Sequence, residues 1–233
     1  MIKKFKYIAF ITACAVISSC EKDNYDPPST TLTGRLVYQG EAIGVERDQV
    51  PFELYQYGFG KVGPIGQSFA QDGSYSALLF NGEYKMVIPI GQGPFLSKLT
   101  GAGTADSVAI SVTGNQTLDV EVTPYYMIRN PQISASGGTV TSTFSVEKIV
   151  TDANAKDIEN VALFINKTQF VSGNDNIGNT TVAGTDIADP ANVSLQVAIP
   201  AITPAQNYVF ARIGVKIAGV EDRIFSPLVK VSF

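Results

Sequence analysis

The side chains able to do chemistry are few. The 233 residues include no histidine and two cysteines, Cys14 and Cys20. Without imidazole there is no Ser-His-Asp or Cys-His catalysis and no histidine-ligated metal. Carboxylates remain, and two of them held across a cleft could hydrolyse a glycosidic bond, but no motif sets up such a pair. Tryptophan, the usual sugar platform, is absent too. What is left is chemistry of recognition. Glu53, Tyr55 and Tyr57 alternate along one segment, and Phe59 joins them if that segment continues. Successive strand side chains point to opposite faces, so Val50, Phe52 and Leu54 face a core and this row faces out. Aromatic rings stack on the C–H faces of sugars and a carboxylate accepts their hydroxyls, so the row suits a glycan or a protein surface. The same face could instead pack against a neighbouring domain or decorate an edge strand.

Other candidates are weaker. Residues 91–103 are glycine-rich with Phe95 in their midst. They lack the Gly-Lys-Ser/Thr ending of a phosphate-binding loop, so they read as a long connector or a loop displaying Phe95. Residues 172–192 are rich in Asn, Asp, Gly and Thr, and Asp175, Asp186 and Asp189 match no calcium-loop spacing. A mobile loop is expected there, and no metal or cofactor is expected anywhere. Tyr125 and Tyr126 suit burial between domains.

The N-terminus reads as an address. Lys3, Lys4 and Lys6 precede an uncharged apolar run at residues 7–17, too short for a span of roughly 20 residues. Ile17-Ser18-Ser19-Cys20 resembles the bacterial lipobox, in which the cysteine is acylated and becomes residue one; the alternative is an ordinary signal peptide with a chance cysteine. The expectation is a signal peptide at 1–19 and a lipidated tether at 20–30. The acidic stretch Glu21-Lys22-Asp23-Asn24-Tyr25-Asp26 is similar to that of surface lipoproteins of Bacteroidota, which implies display on the outer face of the outer membrane.

Cleavage there would leave Cys20 as the one cysteine, so folding would rest on apolar burial and not on disulfides. Without the three signal lysines, 14 basic side chains stand against 21 acidic ones, a net charge near −7. With no basic patch, nucleic acid is not an expected partner.

From residue 31 onward the chain is a series of short alternating segments punctuated by Gly, Pro, Asn and Asp, an all-β pattern. Two tandem β-sandwich domains are expected, at 31–123 and 124–233. In the first, Asp72-Gly73 and Asn81-Gly82 read as tight hairpin turns, and Leu118, Val120 and Val122 mark a closing strand. In the second, strands are expected at 140–146, 161–165, 193–199 and 208–217, with 225–231 as the last. Gly34-Arg35-Leu36-Val37, Asp72-Gly73-Ser74-Tyr75 and Asn81-Gly82-Glu83-Tyr84-Lys85-Met86 resemble the prealbumin-like, carboxypeptidase-regulatory-like β-sandwich. Ile202-Thr203-Pro204 with Tyr208 resembles the tyrosine corner of fibronectin type III and immunoglobulin-like domains. Alternation places Val209, Ala211, Ile213, Val215 and Ile217 inside and turns Tyr208 outward, so either a bulge intervenes or the corner is not one.

Taken together, the lipobox, the acidic start, the two sandwiches and Thr123-Pro124-Tyr125-Tyr126 resemble an uncharacterised two-domain lipoprotein family of Bacteroidota. The resemblance implies association with starch-utilisation-like loci, in which an outer-membrane transporter is paired with a glycan-binding lipoprotein. The expected function is therefore a non-enzymatic accessory or binding module of polysaccharide uptake, anchored through Cys20, with Glu53, Tyr55, Tyr57, Phe59 and Phe95 as candidate ligand contacts. The alternative is a structural or adhesion spacer touching other envelope proteins.

Overall fold

A computed structural model describes residues 26–58 and 62–233. The expected signal segment, Cys20 and Phe59 lie outside the described residues. The chain is all-β and forms two β-sandwiches. The first contains β1 (Thr30–Tyr38), β2 (Glu41–Ala42), β3 (Pro51–Gln56), β4 (Pro64–Ser68), β5 (Ser74–Leu79), β6 (Gly82–Val87), β7 (Ser107–Val112), β8 (Gln116–Thr117) and β9 (Val120–Glu121). One sheet runs β2-β1-β5, with β8 and β9 lying parallel to β1, and the other runs β4-β3-β6-β7.

Alternation sets the inner faces. Leu32 and Leu36 of β1, Phe52 and Leu54 of β3, and Tyr84 and Met86 of β6 are all buried. Each such side chain contributes about 1.5–3 kcal/mol by leaving water. Phe52, Phe69 and Tyr75 pack with ring centroids 4.7, 5.1 and 5.7 Å apart. The Tyr75 hydroxyl donates to the Leu118 carbonyl at 2.7 Å. Gly34 is required beside it, because a Cβ there would stand 1.8 Å from that same carbonyl oxygen. This close approach also breaks the expected closing strand into β8 and β9, with Asp119 accepting from the Arg35 amide at 3.1 Å.

Asp72-Gly73 and Asn81-Gly82 do form tight turns, but neither closes a hairpin. The strands flanking them belong to opposite sheets: β4 pairs with β3, β5 with β1 and β6 with β3 and β7. The turns are corners of the sandwich.

The second sandwich contains β10 (Tyr126–Ser136), β11 (Thr139–Lys148), β12 (Ile158–Asn166), β13 (Gly178–Ala183), β14 (Val193–Ala198), β15 (Tyr208–Ile217), β16 (Arg223–Phe225) and β17 (Val229–Ser232). β10-β11-β14 face a sheet ordered β13-β12-β15-β16, in which β17 also pairs with β15. The alternation expected on β15 holds, since Val209, Ala211, Ile213, Val215 and Ile217 are fully buried. Tyr208 points outward, where Lys230 Nζ lies 3.8 Å from its ring centroid; the corner assignment is therefore wrong. The stretch 172–192 is no mobile loop: it holds the edge strand β13, whose polar outer residues hid it, and Ser172 Oγ accepts from the Asn174 and Asp175 amides. The last strand is split because Pro227 has no N–H to offer a ladder; Ser226 covers the gap by accepting the Ile213 amide on Oγ at 3.0 Å.

The two sandwiches meet along a closed seam. Gly44 and Phe225 form a β-bridge, as do Phe95 and Pro124. Tyr125 and Tyr126 are buried at the junction, and the Tyr126 hydroxyl donates to the Lys156 carbonyl at 2.7 Å. Asp222 Oδ2 accepts the Gly93 amide at 2.7 Å. Arg129 pairs with Glu147 at 2.6 Å and with Glu41 of the first sandwich. At the centre sits Arg212, whose residue surface is 1 % exposed.

Candidate functional site

Of the row anticipated on β3, Glu53, Tyr55 and Tyr57 lie on the outer face. Glu53 and Tyr55 are half-buried on the outer face, and Tyr57 is 49 % exposed just beyond the strand. Tyr55 lies opposite Pro64 on β4 and Lys85 on β6, while Glu53 lies opposite Gly66 and Val87. Ala109 of β7 pairs with Lys85. Small side chains at Gly66 and Ala109 leave the shelf low around the tyrosines, which stand about 7 Å apart along the strand.

Charge shapes this shelf. The Tyr55 hydroxyl donates to Glu53 Oε2 at 2.6 Å. That bond, with the carboxylate charge behind it, raises the Tyr55 pKa above the ordinary phenol value. It orients the ring and leaves Glu53 Oε1 able to accept another hydroxyl. Lys85 Nζ lies 5.4 Å from the Tyr57 ring centroid, in cation–π range. Next to Lys85, Glu83 accepts from Ser111 Oγ at 2.6 Å. The second sandwich does not cover this face. It docks at the opposite end, where 44, 45, 71 and 93 supply the contacts, whereas Tyr57 sits at the Glu83 end, its amide bonded to the Glu83 carbonyl at 3.3 Å.

Phe95 is not part of the row and is not displayed. It is 4 % exposed, its ring lies over Gly93, and its backbone bridges Pro124. A large apolar ring in a connector is drawn into the core when the connector crosses a domain junction, and that is its position here. Phe95 forms one wall of an apolar cavity of about 440 Å³ with Met86, Ile88, Val108, Val120 and Val122, and the Lys98–Asp106 pair at 3.9 Å lies at its edge.

Among the described residues no three His, Cys, Asp or Glu side chains converge on a metal position. Sequence reasoning missed Arg212. Its signal was a cation in the middle of an otherwise apolar strand, on the face shared with Tyr208, Phe210 and Gly214.

The architecture is that of an all-β protein of two sandwiches. The chain belongs to the DUF3823 family. Residues 30–123 match the family described as "Protein of unknown function (DUF3823) N-terminal domain", and residues 126–230 match "Domain of unknown function (DUF3823_C)". It is 34% identical to a DUF3823 family protein of Parabacteroides merdae, whose crystal structure aligns over 89% of this chain and 100% of that one with a TM-score of 0.76. A DUF3823 family protein of Bacteroides ovatus is 31% identical, with a TM-score of 0.75 over 88% of this chain and 99% of that one. A protein of Bacteroides uniformis, provisionally described as carbohydrate binding, shares the fold at 16% identity, with a TM-score of 0.66 over 88% of this chain and 100% of that one. No curated protein sequence matches the chain.

Proposed function

We propose that this chain is a non-enzymatic glycan-binding accessory module of polysaccharide uptake, exported, acylated on Cys20 and held on the outer face of the outer membrane. The observation that carries the reading is the outward Glu53–Tyr55–Tyr57 shelf, with its 2.6 Å hydroxyl–carboxylate bond and the exposed Tyr57 ring beside Lys85. Sugars need both parts, a flat apolar face and fixed acceptors. The description of the Bacteroides uniformis relative as carbohydrate binding supports the same class of ligand. The absence of histidine from the sequence favours binding over turnover. Strand order supports an immunoglobulin or fibronectin type III relationship for the second sandwich, with first, second and fifth strands opposite the third, fourth, sixth and last. In this setting the natural partners are an outer-membrane transporter and its glycan-binding lipoprotein.

Affinity electrophoresis through gels containing soluble polysaccharides tests the shelf. Tyr55→Ala with Tyr57→Ala is expected to weaken retardation about tenfold, the loss of one good stacking contact. Unchanged retardation would remove the shelf from the site.

The closed seam favours a second reading, a rigid spacer that presents its surfaces to other envelope proteins. That reading expects co-purification with a transporter pair and no retardation by any polysaccharide.

A further inference from the structure

We propose that the cleft at the domain seam, together with the aromatic row leading into it, is a second saccharide site that takes an uncharged oligosaccharide; this rests on the glycan-binding reading. The cleft encloses about 630 Å³, within the range of ligand sites and at a domain interface, where such sites concentrate. Gln71 and Asp72 come from the first sandwich, Gln169 and Arg212 from the second, and Pro227 and Leu228 supply an apolar wall. Asp72 is held in place, because its Oδ1 accepts from the Ser74 amide at 3.1 Å and from Ser74 Oγ at 2.6 Å. Burial works to raise its pKa, but those bonds hold it below the usual carboxylate value, so it stays an acceptor. Gln71 Nε2 donates across the seam to the Gln169 carbonyl at 2.8 Å, which leaves its amide oxygen to accept. Arg212 commits four N–H groups to carbonyls, through Nε to Ser226, Nη1 to Val45 and Val171, and Nη2 to Gln71. Arg212 is thereby the buried floor of the cleft, and the N–H donors open to a ligand are those of Arg35, exposed on the same wall beside Asp72.

A sugar hydroxyl both donates and accepts, and this wall offers both complements side by side. Asp72 and Arg35 offset each other's charge on this wall, which leaves no excess of either sign for an ion to meet. The row outside extends the site. Tyr208, Phe210 and Arg212 alternate on the outer face of β15, while Val209 and Ala211 fill the core behind them. The two rings are partly exposed, with centroids 5.8 Å apart, edge to face. Steps of about 7 Å along the strand let one sugar enter the cleft while the next lies against Phe210; beyond it Lys230 Nζ covers the Tyr208 ring at 3.8 Å and adds a donor at that end.

The test uses the full chain in detergent, electrophoresed through gels containing glycogen, xylan or galactomannan, with polygalacturonate as the acidic probe. Two variants, Tyr208→Ala with Phe210→Ala and Asp72→Asn, are each expected to weaken retardation by a neutral polysaccharide about tenfold. Both are checked by thermal melting, and Gln71→Ala, which removes the amide oxygen offered as an acceptor, serves if either fails to fold. Retardation unchanged in these variants and weakened by Tyr55→Ala with Tyr57→Ala overturns this site and leaves the shelf standing. Selective retardation by polygalacturonate overturns the uncharged class. Failure of every polysaccharide to retard the unmodified chain overturns the glycan reading and this site with it.

Discussion

Arg212 Nη2 of the second sandwich donates to the Gln71 carbonyl of the first at 2.7 Å. No carboxylate among the described residues pairs with this guanidinium at ion-pair distance; its partners are four carbonyl oxygens and the face of Phe225, 4.4 Å from Cζ to the ring centroid. Burial pulls its pKa down to about 10 from the ordinary 12.5, against the raising influence of Asp72 and Glu46. Four bonds from a charged donor, about 1.5–3 kcal/mol each, oppose that burial. The cation therefore fixes the two domains in one arrangement.

Arg212→Ala leaves four carbonyls short of a donor and is expected to destabilise the protein by roughly 3–5 kcal/mol. Arg212→Lys recovers a minor part, because an ammonium cannot reproduce the planar fork. Urea unfolding should show one transition for the unmodified chain and two for Arg212→Ala. A single, unshifted transition would contradict the role given to this side chain.

Two glycines are expected to be intolerant for different reasons. A Cβ on Gly44 would stand 2.7 Å from both Arg212 Nη2 and the Phe225 carbonyl oxygen. Gly44→Ala therefore pries at the seam and should cost about 1–3 kcal/mol, with amide exchange rising at residues 44–45 and 225–226. Gly34→Ala instead collides with the Leu118 carbonyl and should raise exchange along β1 and β9. Equal protection maps for the two variants would show that one of these contacts is misassigned.

Asp222 gives the seam a pH dependence. Burial raises its pKa above the ordinary 3.8, although the Gly93 amide and Lys216 pull the other way, and Glu221 and Glu46 add to the rise. The native state thus holds this proton to higher pH than the unfolded chain. The contribution is full below the unfolded value and is lost as pH rises through the native one. Asp222→Asn should melt at a higher temperature than the unmodified chain at neutral pH, and the gap should narrow as pH falls toward about 4. A gap independent of pH would place the effect elsewhere.

On the shelf, Glu53→Gln should bring the raised Tyr55 pKa back toward the ordinary phenol value. Ultraviolet titration of phenolate absorbance follows this directly, with Tyr55→Phe identifying the transition. An unmoved titration would mean that the Glu53 bond does not hold in solution.

Much of the fold was legible because sandwich strands repeat every two residues. Inner positions of β1, β3, β6 and β15 follow from apolar alternation alone, and Glu53, Tyr55 and Tyr57 fell on the outer face for the same reason. β13 was not legible, since an exposed polar edge strand buries too little to leave a pattern. β10 was hidden by Asn130-Pro131, where Asn130 takes a φ of 50° and the pairing shifts register. Asp72-Gly73 announced a turn, but a turn's residues do not say whether the strands on either side will pair.

The sequence by itself determined the all-β class, the lack of imidazole chemistry and the outward row on β3, because composition and local periodicity act over a few residues. Only the tertiary structure decided what lies over each outer face. It left Tyr57 of the β3 row exposed, drew Phe95 into the junction and closed the seam over Arg212. Those outcomes depend on pairings between residues such as Gln71 and Arg212, 141 positions apart, which no local pattern encodes.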